Sequence, residues 1–65
     1  MWDVLLINGP LNGTKLKVGH DLPDQWMPHP AKPNVSLRYR AAIDSGGRLL
    51  MSADKKTVYY RLWGR

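Results

Sequence analysis

Asn8-Gly9-Pro10-Leu11-Asn12-Gly13 joins an apolar run, residues 2–7, to an alternating run, residues 14–18. Asn and Gly tolerate positive φ at little cost, and two Asn-Gly pairs fall within these six residues. Pro10 fixes φ near the value wanted at the second position of a type I or II turn. Gly9 precedes a proline, which favours extended geometry there. Gly13 is placed to take the left-handed position that closes a bulged hairpin. Apolar runs on both sides of such a turn predict a β-hairpin at the start of the chain. A phosphate-cradling glycine loop would need a following helix and a Lys-Ser/Thr pair, and the sequence has neither.

Outward from this turn the pattern stays strand-like. Residues 2–7 are apolar except for Asp3, as in a central strand covered on both sides. In the next run Leu16 and Val18 take one face, Lys15 and Lys17 the other. Residues 36–43 alternate again, with Leu37, Tyr39, Ala41 and Ile43 opposite Arg38 and Arg40. Asp44-Ser45-Gly46-Gly47 is a turn. Residues 49–52 read as a short strand, 53–56 as a turn, and 57–63 as a last strand rich in β-formers. The expected core is Val4, Leu6, Leu16, Val18, Leu37, Tyr39, Ile43, Leu49, Met51, Val58, Tyr60 and Leu62.

The middle, residues 19–34, holds four of the five prolines. Proline donates no ladder hydrogen bond, so this segment is not a central strand. It reads as a long loop, with a single helical turn at 24–27 allowed by Pro23 at a first helical position. A loop of this length in so small a domain is functional or disordered, and Trp26 and Met27 argue against disorder. The favoured reading folds Trp26 back as a plug over the core. The other makes Trp26 and Met27 an exposed anchor for a partner, since Trp is enriched at binding hot spots.

The layout resembles a loose group of small, mostly uncharacterised bacteriophage and prophage proteins. The residues that carry the likeness are Gly9-Pro10-Leu11-Asn12-Gly13, Lys17-Val18, the prolines from Pro23 to Pro33, and Tyr60-Arg61-Leu62. Asn8 departs from the pattern, where a second glycine is more usual. The resemblance implies a phage or prophage origin and a compact β fold. It transfers no catalytic residue.

Sixty-five residues make one domain, spanning 1–65. A chain this short buries only ~60% of its unfolded surface, so its stability margin is thin. It has no cysteine, hence no disulfide or thiolate metal site to staple it. No apolar stretch reaches the ~18 residues of a membrane span. No basic segment followed by an apolar one opens the chain. The expectation is a soluble protein of the cytoplasm, the host cytoplasm if phage-encoded.

The chemistry-bearing residues are sparse. His20, Asp21, Asp24 and His29 are the one group resembling metal ligands, and their spacing matches no zinc pattern. They read as loop histidines beside turn-forming aspartates. Ser36, Ser45 and Ser52 have no histidine aimed at them by sequence. Five aspartates and no glutamate offer little for paired-carboxylate catalysis. We expect no enzyme, no cofactor and no metal.

Charge is the stronger signal. Ten basic residues against five acidic give a formal net charge of +5 and a pI near 10. Lys15, Lys17, Arg38 and Arg40 fall on polar strand faces, and Tyr59, Arg61, Trp63 and Arg65 share one face of the last strand. Guanidiniums interleaved with aromatics suit a protein partner or a polyanion, whose phosphates they neutralise while the rings stack bases. Arginine also simply covers exposed aromatics, and edge lysines guard against aggregation.

The sequence therefore predicts a small all-β domain. It is a twisted antiparallel meander of four or five strands, rolled in its tightest form into an SH3-like barrel, with the proline-rich loop over one end. The leading role is a non-enzymatic phage-type accessory protein that binds another protein, either host machinery or an assembly component. A small nucleic-acid-binding β-domain is the alternative. Self-assembly through a sheet edge comes third. The partner and the oligomeric state stay open.

Overall fold

A computed structural model describes residues 1–63, and the Arg65 expected on the basic face lies outside them. The described residues form five strands and no helix. These are β1 (Trp2–Leu6), β2 (Lys15–Val18), β3 (Gln25–Pro28), β4 (Ser36–Ala41) and β5 (Thr57–Leu62). They make one curled half-barrel sheet in the order β2-β1-β5-β4-β3. The all-β class follows the alternating sequence. One join departs from a meander: β1 and β5 pair in parallel, with Val4 opposite Val58 and Leu6 opposite Tyr60. The other joins are antiparallel.

The first hairpin forms as its turn residues dictate. Gly13 N–H donates to the Leu6 carbonyl at 2.7 Å, and Leu6 N–H donates to the Thr14 carbonyl at 2.9 Å. Two residues thus face one, which is the bulge closed by a left-handed glycine, and Gly13 has φ +91°. Gly9 is not extended, as its place before proline suggested, but sits at φ +76°. Nothing lies within 4 Å of a Cβ added at Gly13, so Gly13→Val should cost only the backbone strain, roughly 1–3 kcal/mol. A lowered denaturation midpoint with an unchanged slope would show it.

The concave side carries the core of Val4, Leu6, Val18, Tyr39, Val58 and Tyr60. Strand alternation delivers each of them to the same face. Loop residues Leu11 and Leu22 pack against this cluster. Two buried phenols tie those loops down. Tyr39 Oη donates to the Asn8 carbonyl at 2.8 Å and accepts from Leu11 N–H at 3.3 Å. Tyr60 Oη donates to the Pro23 carbonyl at 2.9 Å. Asn8 accepts Leu62 N–H on its side-chain oxygen at 2.6 Å and so holds the turn to β5.

Several expectations need correction. The proline-rich middle is not wholly loop, and no helical turn forms at 24–27. Residues 25–28 are the edge strand β3, a position that tolerates Pro28. β3 turns Met27 toward the core and sends Trp26 outward, so Trp26 plugs nothing and is 64% exposed. Residues 49–52 make two isolated bridges, Ile43 to Leu49 and Met51 to Val58, rather than a continuous strand. They enter where β4 and β5 part. Ala42 N–H still donates to Tyr59, while Tyr59 N–H turns to Leu50 and Leu50 N–H to Ala42. That junction buries Ala42, which the alternation had not placed in the core. It carries Ile43 past the core, leaving it 59% exposed with Leu49 beside it. β1, finally, is fully buried on one face only, with Leu5 half-buried on the other.

Candidate functional site

The convex face of the sheet collects the charged and aromatic residues, and strand register arranges them in rows. β4 pairs β3 with Trp26 opposite Arg38. It pairs β5 with Arg40 opposite Arg61. One step further, Trp63 N–H donates to the Arg38 carbonyl at 2.7 Å, which brings Trp63 beside Arg38 on the other flank. The first row is therefore Trp26, Arg38, Trp63. The second is Asp24, Arg40, Arg61.

The contacts follow from these rows. The Arg38 guanidinium carbon lies 5.3 Å from the Trp26 ring centroid and 6.0 Å from that of Trp63. Arg40 lies 4.3 Å over Trp63. A cation over an indole face is attracted by the ring quadrupole, and guanidinium is hydrated weakly enough to stack there. Asp24 serves both arginines. Its Oδ2 accepts from Arg38 Nε at 2.7 Å and lies 2.6 Å from Nη2, while its Oδ1 lies 3.2 Å from Arg40 Nε. A single carboxylate thus holds two guanidiniums against two tryptophans.

The remaining candidates separate from this cluster. Lys15 and Lys17 lie three strands away on the β2 edge, where Lys17 pairs with Asp3 at 3.3 Å. They rim a groove of about 540 Å³ whose floor includes Leu5 and Tyr59. Met27 faces inward. The loop histidines do not join Asp24. His20 Nε2 meets the terminal amine of Met1 at 3.2 Å, and His29 Nδ1 accepts Ala31 N–H at 3.0 Å. Sequence reasoning missed the part played by Asp24. The signal was there in outline: Asp24 and Trp26 are two residues apart, so a strand through them puts both on one face.

The tryptophans remain open to solvent despite their arginines, 64% for Trp26 and 53% for Trp63. Little of the fold rests on an indole so exposed. Trp26→Ala should change stability by no more than about 0.5 kcal/mol, checked by chemical denaturation against the parent chain.

Comparison with protein-family models, curated proteins and solved structures returned no match for this chain.

Proposed function

We propose that this protein is a small, non-catalytic binding module whose convex sheet face docks on another protein. It would act as the phage accessory proteins that its turn resembles are expected to act. The observation that carries the reading is the Trp26–Arg38–Trp63 row. Two half-exposed indoles flank a guanidinium already oriented by Asp24. Trp and Arg dominate binding hot spots, and a side chain held in place before contact loses less entropy on binding.

Nucleic-acid binding is less well supported by the same face. Arg38 and Arg40 share Asp24, and Lys17 pairs with Asp3, so three of the face's cations already have a carboxylate beside them. A phosphate-tracking groove needs cations free to replace counterions.

The test is affinity purification from producing cells, with and without nuclease, using the parent chain and a Trp26→Ala/Trp63→Ala variant. A stoichiometric protein partner that survives nuclease and is lost with the double variant is the expected result. A partner lost on nuclease treatment would put nucleic acid in its place.

A further inference from the structure

Arg40 and Arg61 stand directly opposite each other on neighbouring strands. Like charges at opposed positions of an antiparallel pair repel and weaken it. Arg40 is compensated by Asp24 on one side and the Trp63 ring on another. Arg61 is exposed and, among the described residues, has no carboxylate partner. Beside the pair a hollow of about 130 Å³ opens, bordered by Arg40, Arg61, Trp63 and Ile43. Trp63 and Ile43 are both more than half exposed, so the hollow has a cationic side and an apolar side.

We infer that this hollow receives an acidic side chain of the partner protein. Its carboxylate accepts hydrogen bonds from Arg40 and Arg61, and an apolar neighbour in the partner packs on Trp63 and Ile43. The inference rests on the convex face being the docking surface. The row Asp24, Arg40, Arg61 then has two carboxylates for its two guanidiniums. Guanidinium matches a carboxylate in planar geometry, and hydrogen bonds between ionised groups are the stronger kind. The face itself favours a carboxylate over a run of phosphates. Asp24 already shows one carboxylate bridging Arg38 and Arg40, and a polyphosphate following the row Asp24, Arg40, Arg61 would meet the like charge of Asp24. A single acidic side chain seated in the hollow has no carboxylate among the residues that border it.

The test is an NMR titration of the full chain with a blocked Leu-Glu-Leu tripeptide, its Leu-Gln-Leu counterpart and an oligothymidylate. The expected result is a saturable shift of the Arg40 and Arg61 Nε–H and the Trp63 indole N–H with the acidic peptide. The glutamine peptide and the Arg61→Gln variant should each weaken it by about tenfold or more. Arg61 is exposed, so the variant keeps its fold. Equal binding of the two peptides, or binding indifferent to Arg61→Gln, overturns the inference. So does tighter binding of the oligothymidylate at physiological salt. Repeating the partner capture with Arg61→Gln separates the two readings. A partner lost with the tryptophan variant but fully retained with Arg61→Gln rejects the acidic contact and leaves the docking face standing. Peptide binding at Arg61 without a partner that depends on Trp26 and Trp63 supports the hollow and rejects the docking face.

Discussion

Gly9→Ala is expected to unfold most of the protein. Two penalties add at this position. Gly9 sits at φ +76°, where a Cβ costs roughly 1–3 kcal/mol of backbone strain. The added Cβ would also lie 2.7 Å from Tyr39 Oη and 3.0 Å from Leu62 Cδ2. Tyr39 is fully buried and cannot retreat without giving up its bonds to Asn8 and Leu11. A buried hydroxyl that loses its partners costs about 1–3 kcal/mol more. A core in a domain of this size supplies roughly 3–5 kcal/mol in all. Gly13→Ala is the control, since that position carries a positive φ but open space. Circular dichroism melting should rank parent, Gly13→Ala and Gly9→Ala in falling order. Equal melting of the two variants would show that the Tyr39 contact matters little.

Tyr60→Ala should be at least as damaging, and Tyr60→Phe much less so. Tyr60 lies in the central strand β5 with no exposed surface. Removing so large a buried ring leaves a cavity and should cost about 3–5 kcal/mol. Phenylalanine keeps the ring but leaves the Pro23 carbonyl without its donor, for roughly 1–3 kcal/mol. Burial, with lesser contributions from Asp24 and Asp21, pushes the Tyr60 phenol above its ordinary value of 10.0. The folded protein therefore holds this proton more tightly than the unfolded chain does. The stabilisation is complete below pH 10.0 and is lost as pH rises through the higher folded value. Tyr60→Phe should shrink that alkaline loss. An alkaline limb of unchanged depth in this variant would assign the effect to other groups.

Much of the fold is legible in local pattern. Turn chemistry at residues 8–13 and the alternation of 14–18, 36–41 and 57–62 lead directly to three strands and their core faces. What escapes is whatever depends on partners far away in sequence. The parallel pairing of β1 with β5 joins Val4 to Val58, and no local period encodes it. β3 is hidden because its prolines read as loop, yet an edge position removes the objection to them. Ile43 fits the core alternation perfectly well, and only the entry of Leu50 between β4 and β5 carries it outside. The candidate site divides in the same way. Arg38, Arg40, Arg61 and Trp63 follow from strand parity. Trp26 and Asp24 join them only once β3 is known to exist.

The parallel pair has a bearing on how the chain is made. Its first strand is synthesised before β2, β3 and β4, and β5, which fills the sheet's centre, follows all of them. Until then β1 carries β2 on one side and nothing on the other, and the β3–β4 hairpin is likewise missing a neighbour. Neither half can close the core, because Val58 and Tyr60 have not yet been delivered. Closure of the core must therefore wait for β5, and its key contacts join residues far apart in the chain, which slows the search. During translation both halves expose unpaired strand edges, the state in which chains join one another instead of themselves. Lys15 and Lys17 stand on β2, the outer edge of the first of these halves, where charge disfavours pairing with another copy.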